Sequence, residues 1–180
     1  MRRTTALAAC LAAAAALTGC GSGSGGADAP RAVATSPAAA ATDSVPEDQP
    51  DGEITVFAAA PLAKAFTTLG RRFHALHPSV TVQFRFDASA ALAAAIEGGT
   101  PADVFAAASA AAMQPFVDAG SVARAPAAFV RDRAPGGAGN EYQIAPLADS
   151  FNIVTAAAFV DLVVSVTGRQ ILEAAGFQLV

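Results

Sequence analysis

Apolar positions along the chain change period several times, and each change marks an element. Ile54-Thr55-Val56-Phe57-Ala58 is a short apolar run of the length and β-branched content that suits a buried parallel strand. Leu62, Phe66, Leu69, Phe73 and Leu76 then recur at steps of four, three, four and three, one face of an amphipathic helix. His77-Pro78 ends it, because a residue before proline avoids the α region. Val80, Val82, Phe84 and Phe86 alternate with Thr81, Gln83 and Arg85, which predicts a second strand. A second helix is expected over Ser89–Glu97, stopped by Gly98-Gly99. Val104-Phe105-Ala106 reads as a third strand and 110–119 as a third helix, ended by Gly120. Residues 142–147 supply a further strand, and 155–175 a final helix broken near Thr167-Gly168. Strand and helix in alternation predict an α/β fold, a parallel-sheet lobe with helical crossovers.

Upstream of this domain the pattern is different. Arg2 and Arg3 precede an uncharged apolar run at 6–17, long enough for a secretion signal and too short for a membrane span of roughly 20 residues. Leu17-Thr18-Gly19-Cys20 follows directly and matches a bacterial lipobox. The expectation is a lipoprotein signal over 1–19, with Cys20 carrying the lipid that holds the protein to the outer face of the cell membrane; two acyl chains suffice for stable anchoring. Residues 20–52 are rich in Gly, Ser, Ala, Pro and Asp and hold no aromatic residue, the composition of a flexible tether. The remaining residues, 53–180, are enough for one domain.

Charge and cysteine content narrow the function. With Arg2 and Arg3 gone, nine basic residues face fifteen acidic ones, a charge of about −6 with histidine neutral. That balance argues against a nucleic-acid partner, which needs a basic footprint. Cys10 leaves with the signal, so Cys20 has no partner, and neither a disulfide nor a thiol site is expected.

Candidate chemistry is sparse. Ligands of open parallel sheets sit beyond the carboxyl ends of the strands, where helix starts present free N–H groups. Two such turns are Ala58-Ala59-Ala60-Pro61 and Asp87-Ala88-Ser89-Ala90, with Ser89 the natural N-cap of the second helix. The hydroxyl and neighbouring N–H groups there suit an anion, and the same serine also serves as a plain helix cap. His74 and His77 lie three apart on a helix but offer only two ligands of the usual three or four. Asp103 and Asp161 have no spacing that pairs them. No G-x-S-x-G elbow or Walker loop exists, and the glycines at 136, 137 and 139 follow no convincing strand. These residues give no support to an enzyme.

Two blocks then resemble the periplasmic molybdate-binding proteins, substrate-binding proteins of ABC importers. Ile54-Thr55-Val56-Phe57-Ala58-Ala59-Ala60-Pro61-Leu62 is similar to the family's I-T-V-F-A-A-A-S-L. Phe86-Asp87-Ala88-Ser89-Ala90-Ala91-Leu92, running on to Ile96-Glu97, resembles F-A-G-S-S-A-L-A-x-Q-I-E, and Gly99-Thr100-Pro101-Ala102-Asp103-Val104-Phe105-Ala106 resembles G-A-P-A-D-V-F-A. Near the C-terminus, residues 142–147 are similar to Y-P-I-A-V-L, and Ala158-Phe159-Val160-Asp161, Gly168-Arg169-Gln170-Ile171-Leu172 and Gly176-Phe177 to A-F-V-D, G-Q-x-I-L and G-F.

The resemblance implies a type II periplasmic-binding-protein fold and a molybdate or tungstate oxyanion held by hydroxyls and backbone N–H groups, without a cofactor. It also implies work with a permease and an ATPase. By position Ser89 matches a serine ligand and Pro61 stands where the family has another, so the oxyanion set comprises Ala60, Pro61, Ser89 and Ala90. Three differences predict weaker binding. Pro61 removes a hydroxyl and an N–H together; Asp87 puts a negative charge where the family has a small neutral residue; and the second lobe, on the order of 100 residues, is missing near 125–140. The exposed face left behind suits self-association. A truncated paralogue that no longer binds, or an interaction lipoprotein on the same lobe, is the alternative.

Overall fold

The computed structural model describes residues 49–133 and 139–180. The signal, Cys20 and the tether up to residue 48 lie outside the described residues, as do Gly136 and Gly137. Eleven elements alternate along the chain: β1 (Gly52–Ala59), α1 (Ala63–Leu76), β2 (Val80–Asp87), α2 (Ser89–Glu97), β3 (Val104–Ala107), α3 (Ala110–Asp118), β4 (Ala127–Arg131), β5 (Glu141–Pro146), α4 (Ile153–Val164), α5 (Val166–Ala174) and β6 (Gln178–Leu179). A single 3-10 turn, Ala60–Leu62, leads from β1 into α1.

The strands form one sheet in the order β2-β1-β3-β5-β4-β6. Its first half is the parallel lobe that the alternation of strand and helix predicts: β1 pairs in parallel with β2, Ala59 opposite Asp87, and with β3, Phe57 opposite Phe105. The second half is antiparallel, through β3–β5, β5–β4 and β4–β6 pairs. Neither β4 nor β6 is legible in the pattern of apolar residues. Ala127-Ala128-Phe129-Val130-Arg131 is too short to establish a period, and β6 has only two residues.

Helices cover both faces. Phe66, Leu69 and Phe73 of α1 pack with Phe159 and Val163 of α4 and Leu172 of α5 on Ile54, Val56, Val104 and Ile144. On the other face, Leu92 of α2 and Met113 and Phe116 of α3 close over Phe57, Phe105 and Ala145. The central strands are thus buried on both sides, the reason β1 reads as a continuous apolar run instead of an alternation.

The break in the last helix falls at Ser165, two residues before the expected Thr167-Gly168, and α4 and α5 meet at 62°. Ser165 is extended, and its hydroxyl accepts from Gly168 N at 3.1 Å as the cap of α5. Gly168 is needed for packing: a Cβ there would run into the carbonyl oxygens of Leu162 and Val163. At the other end of the domain, the buried Thr155 hydroxyl holds the start of β1, accepting from Asp51 N at 3.0 Å and donating to Asp51 O at 2.8 Å.

Candidate functional site

Because β1, β2 and β3 run in parallel, their carboxyl ends at Ala59, Asp87 and Ala107 share one edge of the sheet. Each leads within one to three residues into a helical segment. Three helix starts therefore converge at that edge, each bringing N–H groups that its own helix cannot satisfy. Between them opens a cleft of about 490 Å3, bordered by Ala60, Pro61, Asp87, Ser89, Ser109 and Asn140. The two turns singled out in the sequence thus come together around one space. Ala90, grouped with them there, is an exposed residue of the first turn of α2 and does not border the cleft.

Ser89 plays a different part from the expected cap. The N-cap of α2 is Ala88, with an extended backbone (φ −61°, ψ 138°), and no side chain caps this helix. Ser89 is the first helical residue, and from there its hydroxyl reaches sideways to accept from Ala108 N at 2.9 Å. One hydroxyl oxygen therefore staples the β2–α2 turn to the β3–α3 turn, and its O–H proton stays free to donate. The first intrahelical bond is Leu92 N to Ala88 O, which leaves the N–H groups of Ser89, Ala90 and Ala91 without a protein acceptor among the described residues.

Ser109 was not singled out by sequence, although the turn that follows β3 obeys the rule that pointed to the other two. It caps α3, its hydroxyl accepting from Ala112 N at 3.3 Å. Asn140 had no such signal. It comes from the β4–β5 connection, where Asp132 holds both its backbone N–H (2.6 Å) and its side-chain amide (3.2 Å).

Electrostatically, the cleft offers hydroxyls and amides, and among the described residues its one charged border residue is Asp87. The Asp87 carboxylate folds back on its own turn, Oδ1 accepting from Ala88 N at 2.7 Å. A larger cavity of about 620 Å3 lies at the opposite edge, at the amino ends of β1 and β3. Glu53, Glu97, Asp103 and Asp149 border it, and four carboxylates make it unsuited to an anion.

The remaining candidates have structural partners. His74 Nδ1 lies 2.9 Å from Val80 O, and the His77 ring packs on Phe73 with centroids 4.8 Å apart. Among the described residues no group of three His, Cys, Asp or Glu side chains is placed to hold a metal. Asp103 accepts from Thr55 N at 2.7 Å and from the Ser150 hydroxyl at 2.6 Å, whereas Asp161 pairs with Arg124 at 2.7 Å. The two carboxylates therefore serve separate structural roles. Large exposed apolar side chains, Phe151, Val166, Leu76 and Val180 foremost, do not border the cleft, whose walls are mostly alanine and proline.

Residues 54–134 match the family model of the bacterial extracellular solute-binding proteins. The molybdate-binding proteins ModA of Mycobacterium bovis and Mycobacterium tuberculosis are 42% identical to this chain over 98 residues, 53% of this chain and 38% of each of theirs. The chain thus spans well under half the length of these curated relatives. In fold it is similar to the periplasmic molybdate-binding protein of Azotobacter vinelandii (TM-score 0.61, 11% identity, 71% of this chain and 99% of that one). It is also similar to the sulfate-binding protein SubI of Mycobacterium tuberculosis (TM-score 0.59, 15% identity, 71% and 87%). The chain is thus similar in sequence to molybdate-binding proteins over about half of its length, and similar in fold to periplasmic oxyanion-binding proteins.

Proposed function

We propose that this chain is a lipid-anchored substrate-binding protein of an ABC importer, receiving a tetrahedral oxyanion of the molybdate or tungstate type in the cleft between Ala60 and Ser89. The observation that carries this reading is the convergence of three helix starts at the carboxyl edge of β1, β2 and β3, with no cationic side chain among the described residues on the cleft's border. Free N–H groups and hydroxyls in such a place suit a multiply charged anion, because hydrogen bonds to charged acceptors are about twice as strong as neutral ones.

Binding is expected to be weaker than in the longer relatives. Pro61 brings neither hydroxyl nor N–H, and each lost hydrogen bond to a charged group costs on the order of 1.5–3 kcal/mol, tenfold to a hundredfold in affinity. Residues 53–180 form a single lobe in this reading, and the β4–β5 connection stands where the relatives carry a second one. Permease and ATPase subunits are its partners, and the lipid on Cys20 keeps it at the outer face of the membrane. Isothermal calorimetry with molybdate tests the binding: weak, saturable heat is expected, and either no heat or sub-micromolar affinity overturns the reading of a half-built oxyanion site. Partition of the expressed protein into a detergent phase, lost in Cys20→Ala, tests the anchor.

A second reading is favoured by the short connection from Arg131 of β4 to Glu141 of β5, which leaves no room for a second lobe there: a remnant lobe without transport function that associates with a second copy. Size-exclusion chromatography with light scattering separates it, since this reading requires a dimer and the first a monomer.

A further inference from the structure

Eight large apolar side chains stand exposed among the described residues, and four of them, Leu76, Phe151, Ile153 and Val154, surround the point where residues 49–52 lead into β1. Three contacts fix that neighbourhood. Asp51 is bonded in both directions to Thr155, the residue after Val154. Asn152, between Phe151 and Ile153, donates from its side-chain amide to Glu53 O at 2.7 Å. Ser79, three residues beyond Leu76, donates to Pro50 O at 3.4 Å. Phe151 is the extreme case, 94% exposed on the turn before α4 and outside both faces of the core. This is the amino end of β1, the edge of the sheet opposite the cleft.

An exposed apolar patch marks a contact surface, and its position says what the contact is. In the function proposed above, residues 21–48 connect the lipid on Cys20 to the lobe. A linker of about thirty residues of that composition spans about 30 Å. The membrane is then held beside the patch at the high effective concentration of a tethered partner. A second copy has no such advantage, and a two-fold contact through this end would set the exposed Asp51, Glu53 and Asp149 against their own counterparts. The same carboxylates oppose anionic headgroups and leave a zwitterionic surface as the one that fits. Aromatic and aliphatic side chains enter the boundary between headgroups and acyl chains to a depth on the order of 5–10 Å. One ring and three aliphatic residues add to an anchor without replacing it, so the contact is reversible.

We propose that the amino edge of the lobe is a membrane-seating surface, in which Phe151, Ile153, Val154 and Leu76 dip into a zwitterionic lipid surface. The cleft between Ala60 and Ser89 is thereby turned outward, open to solute, until the lobe lifts off to meet the permease. This rests on the lipid-anchor reading and adds the orientation that the anchored lobe takes.

The chain has no tryptophan, so Phe151→Trp supplies a single indole at an exposed position. The mature lipoprotein with this substitution is reconstituted in phosphatidylcholine vesicles, with and without brominated acyl chains. Its emission is expected to shift to shorter wavelength and to be quenched by the brominated lipid. Val166→Trp, 74% exposed and a full helix away from Ile153, is expected to emit as in water and to escape quenching. Adding Ile153→Asn and Val154→Asn to Phe151→Trp is expected to abolish the shift, and admixture of phosphatidylglycerol to weaken it. An unshifted, unquenched indole in protein that stays with the vesicles overturns the seating and leaves the anchor standing. Equal quenching at the two positions overturns it as well, since the lobe then has no preferred side. A shift that grows with protein concentration and ignores the brominated lipid assigns the patch to a second copy and overturns the proposal. Failure of the protein to remain with the vesicles overturns the anchor and this inference with it.

Discussion

The Ser89 hydroxyl accepts the Ala108 backbone N–H at 2.9 Å, so a side chain on the first turn of α2 holds the turn that starts α3. Two of the three helix starts at the cleft are thereby fixed relative to one another by a single oxygen. The arrangement orients the hydroxyl as well. With a lone pair committed to Ala108, the O–H proton is directed elsewhere, and a preoriented donor loses less entropy on binding than a rotating one.

Ser89→Ala should therefore lower stability and affinity together. Removing the acceptor leaves the Ala108 N–H unpaired, at a cost of about 1–3 kcal/mol, which a thermal melt reads as a fall of several degrees. Oxyanion affinity should drop by at least about tenfold in calorimetry, for the loss of one hydrogen bond to a charged acceptor. A variant that melts lower but binds unchanged would make Ser89 a structural staple only.

Pro61→Ser restores a hydroxyl and an N–H to the first turn of the cleft. Affinity for molybdate should rise by about tenfold to a hundredfold, one or two hydrogen bonds to a charged group. Proline at a compatible φ stabilises through the unfolded chain, so the same substitution should cost about 0.4–1 kcal/mol in chemical denaturation. Opposite signs in the two measurements distinguish a gained ligand contact from a general improvement of the fold.

The contrast between these two turns bears on what a sequence discloses. Strands β1 to β3 and helices α1 to α3 were legible from apolar runs, from the periods of α1 and β2 and from the glycines that end α2 and α3, and the parallel order puts their turns at one edge by topology alone. The partner of Ser89 was not legible: capping rules describe bonds within a helix, and this serine bonds across to Ala108, nineteen residues away. Asn140 was hidden for a related reason, since it lies between β5 and a strand, β4, too short to show a period. Ser109 was within reach, because the rule that marked the first two strand–helix turns applies equally to the third.

Gly168 is the most sterically constrained position at the bend between α4 and α5. A methyl group there meets the backbone carbonyls of Leu162 and Val163, which cannot rotate away as a flexible side chain would. Gly168→Ala should thus force the last turn of α4 apart from α5 and destabilise the domain by more than the ~1 kcal/mol typical of a point substitution, on the order of 2–4 kcal/mol. Urea denaturation gives the number directly. A neutral result would show that the bend at Ser165 opens without strain on the core residues Phe159, Val163 and Leu172.

Tyr142 provides a pH-dependent measure of the same core. Burial pushes its phenol above the ordinary value of 10.0, and the nearby Asp132 carboxylate adds to the shift. Both effects oppose ionisation in the folded chain, whereas in the unfolded chain the phenol gives up its proton near 10. Above that pH the unfolded state therefore binds fewer protons than the folded state, and stability falls as the pH rises towards the folded-state value. Below it both states hold the proton and the group contributes no slope. Tyr142 is the one tyrosine of the chain, which has no tryptophan, so phenolate absorbance reports this residue alone. The titration should be displaced upward in native buffer and return to about 10 in denaturant. Tyr142→Phe should lose less stability than the wild type between neutral pH and pH 11, read as a smaller shift of the urea midpoint, because the phenylalanine keeps the ring packed on Phe177 and has no proton to give.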